Sequence, residues 1–177
     1  MLDDDHHFTS TDLRFHVVVR EEVARFIVDS AIKAKNNETG GILIGHIDDN
    51  GRATIAEATS KPRGSKFTWR TFVRAPTGLM ALLKSRWEEK QYYLGEWHSH
   101  PGSSPEPSGQ DRSSMVAIAA DLKYNCKEPI LIIVGTKASG TKLSVTVFPR
   151  RERDVRLSAA DNRFSKWVSP KLKSPGP

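Results

Sequence analysis

The sequence predicts one α/β domain, a mixed and mainly antiparallel sheet flanked by helices. Three observations carry that expectation. Short β-branched runs alternate with stretches of helical period. Two pairs of strand-like runs are joined by Gly-containing turns and read as hairpins. The length, 177 residues, is enough for one substantial core but not for two comfortable ones.

The elements follow in order. "LRFHVVVR" (13–20) is β-branched and reads as a strand. "EEVARFIVDSAIKAK" (21–35) places Val23, Phe26, Ile27 and Ala31 at helical spacing and stops at Asn36-Asn37. "GGILIGHI" and "RATIAEAT" flank "DDNG", where Asn50-Gly51 signals a two-residue hairpin turn with both positions able to take positive φ. After the polar "KPRGSK" comes a short strand-like "FTWRTFV". Pro76 then opens a helix to about Lys90, with Leu79, Leu82, Leu83 and Trp87 on one side. "YYLGEWHSH" (92–100) reads as a central strand, and the next helix runs from Ser108 to about Leu122. "PILIIVGTKASGTKLSVTVFP" completes a second hairpin turning at Ser139-Gly140.

Composition narrows the function classes. One cysteine, Cys126, excludes an internal disulfide framework and fits a reducing cytoplasmic setting. The start, "MLDDDHHFTS", is acidic where a signal peptide is basic and then apolar. Apolar runs such as "ILIIV" are far short of a membrane span, so no membrane partner is expected. The net charge of +6 gathers in residues 150–177, where eight Lys or Arg face three Asp or Glu. That leaves 19 basic against 18 acidic residues in the body. The Pro-containing end of the chain, "SPKLKSPGP", is basic without interleaved aromatics and reads as a solvated extension, which argues against nucleic-acid binding as the main function.

The stretch "GEWHSHPGSSPEPSGQD" (95–111) carries the chemistry. On a strand, alternate side chains share a face, so His98 and His100 project together, roughly 6–7 Å apart. Asp111 falls in the first turn of the following helix, where the dipole favours a carboxylate. Two imidazoles and a carboxylate with room for water make a catalytic zinc site, because structural sites fill all four positions and mostly use cysteine. With Cys126 the only thiol, a structural cysteine cluster is excluded. Ser108 and Asp111 also have the spacing of a helix capping box. Two carboxylates compete for proton transfer: Glu96, on the strand face of the histidines, and Glu38, ahead of Gly40 and Gly41, which permit close backbone approach. Composition alone does not choose between them.

The whole pattern is Glu38 before "GGILIG", then His98-Ser99-His100-Pro101, six residues, Ser108, two residues and Asp111. It closely resembles the JAMM signature of the MPN-plus metalloisopeptidases, with every signature position filled across residues 38–111. The resemblance implies a single MPN-like (cytidine-deaminase-like) catalytic domain at 11–149, between a flexible leader at 1–10 and a basic extension at 150–177. It implies His98, His100 and Asp111 as ligands of one Zn2+ per chain, Glu38 as general base, and Ser108 as stabiliser of the tetrahedral oxyanion. The implied reaction is cleavage of an isopeptide or peptide bond at the C-terminus of ubiquitin, a ubiquitin-like modifier or another conjugated protein. "ETGGILIG" and "GEWHSHP" look more like the compact bacterial members. Among these it is most similar to isopeptidases of anti-phage, CBASS-type operons, including those that release a nucleotidyltransferase from its conjugates. A second reading keeps zinc hydrolysis but releases a sulfur-carrier protein or an amino acid from a peptide precursor. A third, a non-catalytic scaffold of the same fold, is disfavoured by the complete residue set.

The remaining candidates have blander roles. Trp97 and Ser99 point away from the histidines and read as core and backbone-bracing residues. His16 and His46 read as strand histidines, and His6 and His7 sit beside three Asp in the expected leader. Cys126 reads as a small apolar residue. The segment with Lys66, Phe67, Trp69, Arg70 and Phe72 is expected to form part of the substrate groove, with Trp69 evenly divided between groove and core and Phe72 read rather as core.

Overall fold

Helix α1 (Glu21–Ala34) buries Val23, Ala24, Ile27 and Ala31 on one stripe. Its first-turn Glu21 and Glu22 complement the helix dipole, and the Asp5 carboxylate accepts the Glu21 N–H at 3.0 Å. The computed structural model of the protein to which these contacts belong describes residues 5–60 and 77–160. Phe26, expected on the buried stripe, is partly exposed and packs edge-on against Trp97, ring centroids 6.2 Å apart.

Among the described residues nine strands form one sheet: β1 (His6–Thr9), β2 (His16–Val19), β3 (Gly40–Ile47), β4 (Ala53–Ala58), β5 (Tyr92–Pro101), β6 (Ile130–Lys137), β7 (Gly140–Val147), β8 (Val155–Arg156) and β9 (Ser158–Ala159). Their order is β8-β7-β6-β5-β3-β4-β2-β1-β9. Only β2/β4 and β5/β6 are parallel, so the mixed, mainly antiparallel sheet is as expected. Strand alternation sorts the core onto two faces. Leu43, Ile55, Trp97, Ile132 and Val145 face α1, whereas Ile42, Ile44, Leu131, Ile133 and Phe148 face α3 (Gly109–Ala120) through Met115 and Ile118. Leu79, Leu82 and Leu83 of α2 (Thr77–Glu88) pack on that second face. Among the described residues no helix is long and apolar enough to cross a membrane.

Several expectations change. The first hairpin turn is four residues, Asp48 to Gly51, closed by the Gly51 N–H on the Asp48 carbonyl at 2.9 Å. Gly51 takes φ 79° while Asn50 does not take positive φ, because the Asp48 carboxylate accepts the Asn50 and Arg52 N–H groups and sets a different turn. The second hairpin turns at Ala138-Ser139, with Gly140 already paired to Lys137. His6 and His7, placed in a flexible leader by their polarity, lie in β1. Pairing with β2 satisfies their backbone, Phe8 is buried, and the imidazoles find partners: His6 Nε2 lies 2.6 Å from Glu21 Oε2 and His7 Nδ1 lies 3.1 Å from His16 Nε2.

At the other end of the chain, residues of the expected basic extension also join the sheet. Val155–Arg156 pairs with β7 at one edge, Leu157 is buried, and Ser158–Ala159 pairs with β1 at the opposite edge. Five residues therefore strap the two edges together. Trp87, expected beside the α2 leucines, is 66% exposed. "FTWRTFV" and its Lys66, Phe67, Trp69, Arg70 and Phe72 lie outside the described residues.

Candidate metal centre

Strand β5 is central, antiparallel to β3 and parallel to β6. Pairing with β3 shifts from Leu43↔Gly95 to Ile44↔Tyr93, so Leu94 is an extra residue and the strand bulges. Gly95 takes φ 150° there, and a Cβ on it would lie 1.8 Å from the Ile130 carbonyl oxygen. Beyond the bulge Glu96, His98 and His100 share the α3 face, while Trp97 and Ser99 face the other way. Trp97 is fully buried and donates its indole N–H to the Thr59 carbonyl at 2.9 Å. Gly41 makes room for that contact, since a Cβ would lie 1.7 Å from the Thr59 oxygen.

The loop after β5 folds back onto β6 and β7. The Gly102 N–H donates to the Thr136 carbonyl at 2.6 Å and the Ser144 hydroxyl to the Pro105 carbonyl at 2.5 Å. Gly135 permits this descent: a Cβ would lie 2.6 Å from the Ser103 carbonyl oxygen and 2.8 Å from the Pro105 nitrogen. Arg156 pairs with Glu106 at 3.1 Å, and Arg112 pairs with Asp154, so residues beside the C-terminal strap hold both loop and helix start.

Ser108 is the N-cap of α3. Its Oγ accepts the Asp111 N–H at 3.1 Å and Asp111 Oδ2 accepts the Ser108 N–H at 2.7 Å, a reciprocal capping box. The box turns the remaining lone pairs of Asp111 toward the strand. Asp111 Oδ1 is 3.4 Å from His98 Nε2, Asp111 Oδ2 is 3.6 Å from His100 Nε2, and the two Nε2 atoms are 3.1 Å apart. One ligand atom from each residue falls within 4.8 Å of the other two. His100 Nδ1–H donates to the Ser104 carbonyl at 3.1 Å, which leaves the Nε2 lone pair facing the cluster.

The electrostatics agree with a cation site. The hydrogen bond that protonated His100 donates to the Asp111 carboxylate raises the His100 pKa, and the charge of Glu38 adds to it. Burial alone would raise the Asp111 carboxyl, but the imidazoles of His100 and His98 and the Ser108 N–H outweigh it and hold it well below the usual carboxylate range. Two imidazole nitrogens and a carboxylate oxygen, with no thiol among them, fit zinc with one position left open.

The competing carboxylates part company here. Glu96 is 5% exposed, and burial pushes its pKa up to about 8 despite the Tyr93 hydroxyl at 3.4 Å. A buried, protonated carboxyl is no acceptor for a proton from solvent. Glu38 is exposed, just before β3. Gly40 pairs with His98, and Thr39 exchanges hydrogen bonds with Ser99, so the register carries Glu38 opposite His100. Ser99 is thus the backbone brace expected of it. The Ser104 carbonyl, Gly135, and the Arg112–Asp154 and Glu106–Arg156 pairs carry no sequence signal: one is main chain, one is an absent side chain, and the pairs join distant segments. Cys126 is half-buried with its thiol pushed up to about 12 by burial, and His16 and His46 lie on strands away from the cluster.

The comparisons with known proteins concern the family and the fold. Residues 20–148 match the family model of prokaryotic homologues of the JAB domain. A CD-NTase/cGAS isopeptidase of Enterobacter hormaechei subsp. hoffmannii (strain UCI 50) is 45% identical over 152 residues, covering 85% of this chain and 84% of that protein. A CD-NTase/cGAS isopeptidase of Pseudomonas aeruginosa (strain BWHPSA011 / Pa011) is 38% identical over 106 residues, covering 57% of this chain and 65% of that one. In fold alone, the solution structure of protein DSY2949 from Desulfitobacterium hafniense is similar, with a TM-score of 0.56 at 16% identity over 82% of this chain and 90% of that one. With the family model spanning β3 through β7 and the His98, His100 and Asp111 cluster inside it, the chain belongs to the prokaryotic homologues of the JAB domain.

Proposed function

We propose that the protein is a zinc-dependent isopeptidase that releases a conjugated protein, of the CD-NTase class or a ubiquitin-like modifier, by cutting after its C-terminal residue. The observation that carries the zinc assignment is the convergence of His98, His100 and Asp111 at a strand end. The substrate class is carried by the two relatives, both of which bear the name CD-NTase/cGAS isopeptidase.

When bound, a zinc ion supplies Lewis acidity to the scissile carbonyl and makes a water acidic near neutral pH. His98, His100 and Asp111 would hold it, with His100 fixed by the Ser104 carbonyl and Asp111 by its capping box. Glu38 takes the proton of the attacking water on its carboxylate and delivers it to the departing lysine amine as the C–N bond breaks. Ser108 has a hydroxyl hydrogen to spare, because its oxygen serves as acceptor to the Asp111 N–H. It donates that hydrogen to the carbonyl oxygen as negative charge develops there. Glu96, buried and with its pKa raised, does not serve as the base.

The experiment uses a conjugate of a CD-NTase whose C-terminus is joined through an isopeptide bond to a lysine peptide. Intact-mass spectrometry is expected to place the cut at the native C-terminus. Glu38→Gln is expected to keep its zinc and lose rate by at least about 100-fold. Zinc-independent cleavage, or full activity of Glu38→Gln, overturns the reading.

A further inference from the structure

Where the sheet ends away from the metal centre there is a second concave surface. The first residues of β5 and α2 form its walls, with a cavity of about 770 Å3. Tyr92 and Leu94 line it, six and four residue steps along the strand from His98, roughly 20 and 13 Å. The cavity therefore lies outside the reach of the catalytic groups.

Its chemistry is mixed in an ordered way. The floor is core: Val17, Leu94, Ile130 and Val147 are buried. The rim holds large apolar side chains that the fold leaves in water, with Trp87 66%, Ile47 55%, Met80 47% and Tyr92 43% exposed. Four such residues around one concavity are the mark of an interaction surface. Around them stand Lys84, Lys123 and Lys127, against one acid, Glu128, among the described lining residues.

These features select the occupant. A small ligand sunk on the floor would leave Trp87 and Ile47 wet, whereas a peptide-length segment lying across the rim covers them. The chain's own residues 161–177 carry Arg163, Lys166, Lys171 and Lys173 against Asp161, a like charge that disfavours them as the occupant of a lysine rim. A second copy facing this surface would set lysines against lysines. Cys126 lines the cavity, but burial pushes its thiol up to about 12, so capture is non-covalent.

We propose that this cavity is a docking site for an acidic segment of a protein partner that presents large apolar side chains to Trp87, Met80 and Ile47 and carboxylates to Lys84, Lys123 and Lys127. The site stands apart from the proposed zinc chemistry and does not depend on it.

The test uses the full chain and a defined probe, a capped amphipathic peptide of about 16 residues with Leu and Phe on one face and Glu elsewhere. Its control is the same peptide with every Glu replaced by Lys. The Trp87 indole resonance, assigned through Trp87→Phe, is expected to shift saturably with the acidic peptide and not with the basic one. Lys123→Glu/Lys127→Glu is expected to weaken that binding by about tenfold or more while the zinc content stays unchanged. Glu38→Gln is expected to bind as the wild type does, which separates this result from the fate of the isopeptidase reading. No saturable shift overturns the proposal. Equal binding of both peptides reduces the surface to unspecific apolar contact and overturns it too. A dimer by light scattering that is lost in Trp87→Glu assigns the surface to a second copy instead.

Discussion

Ser99 and Thr39 hold each other at both ends: the Thr39 N–H donates to Ser99 Oγ at 3.0 Å, and the Ser99 N–H donates to the Thr39 carbonyl at 2.8 Å. The clamp joins the segment carrying Glu38 to the strand carrying His98 and His100. Ser99→Ala keeps one bond and strands the Thr39 N–H, a cost of about 1–2 kcal/mol. The expected outcome is full zinc content with kcat lowered by about tenfold, while Ser99→Thr restores most of it. Zinc content by atomic absorption and steady-state kinetics check this, and a loss of zinc in Ser99→Ala would contradict it.

Zinc binding and protons compete at His100. Its pKa is raised in the metal-free protein by Asp111, so that pairing stabilises the fold fully below the ordinary imidazole pKa and is lost as pH rises through the raised value. The Asp111 pKa is depressed, so its contribution is present above the ordinary carboxylate range and is lost only in strong acid. Zinc needs neutral His100. The rise in Tm on adding zinc is therefore expected to be larger at pH 8 than at pH 6, and to vanish in His98→Ala/His100→Ala. Thermal melts with zinc and with a chelator measure it, and an increment independent of pH would count against the ligand set.

Glu96 makes the opposite bargain with the fold. Its folded pKa, about 8, lies above its unfolded value, so the native state holds the extra proton and stability falls as pH rises between about 4.3 and 8. Glu96→Gln removes that decline. In the metal-free protein at pH 8 its Tm is expected to exceed the wild type by about 5 °C or more, with little gain at pH 4. A pH-independent difference would show that Glu96 is ionised in the fold.

Gly135 is tested by adding one methyl group. Gly135→Ala drives a Cβ to 2.6 Å from the Ser103 carbonyl oxygen and must lift the loop whose Ser104 carbonyl orients His100. The expected result is a folded protein with zinc affinity about tenfold weaker. A competition titration with a chromophoric chelator reads it. Unchanged affinity would mean that the loop yields without moving Ser104.

Much of this molecule could be read from one dimension, for reasons that differ by element. The His98 and His100 pairing was legible because a strand has a fixed period of two, and Asp111 because a helix cap has a fixed offset of three. Glu96 against Glu38 was not, because both are carboxylates near glycines, and burial depends on α3 covering one of them. β1 was missed because His6 and His7 are polar, and their pairing with Glu21 and His16 is made across space. Trp87 misled in the other direction: its helical spacing matches the leucines, yet it lies in the last turn of α2 on the rim of an open cavity and is exposed. β8 and β9 are two residues each, too short to carry any period.

Those two short strands have a consequence for how the protein is made. Ser158 and Ala159 are hydrogen-bonded neighbours of Thr9 and Phe8, and Val155 and Arg156 close the far side against Val147 and Thr146. Pairings between opposite ends of a chain form late, because a long loop must close before they return any energy. During synthesis β1 emerges from the ribosome long before β9 and waits, its outer backbone groups open, until residue 159 has cleared the exit tunnel. A chain stalled before residue 159 thus exposes a strand edge prone to pairing with its neighbours, whereas a chain that reaches it covers that edge with β9.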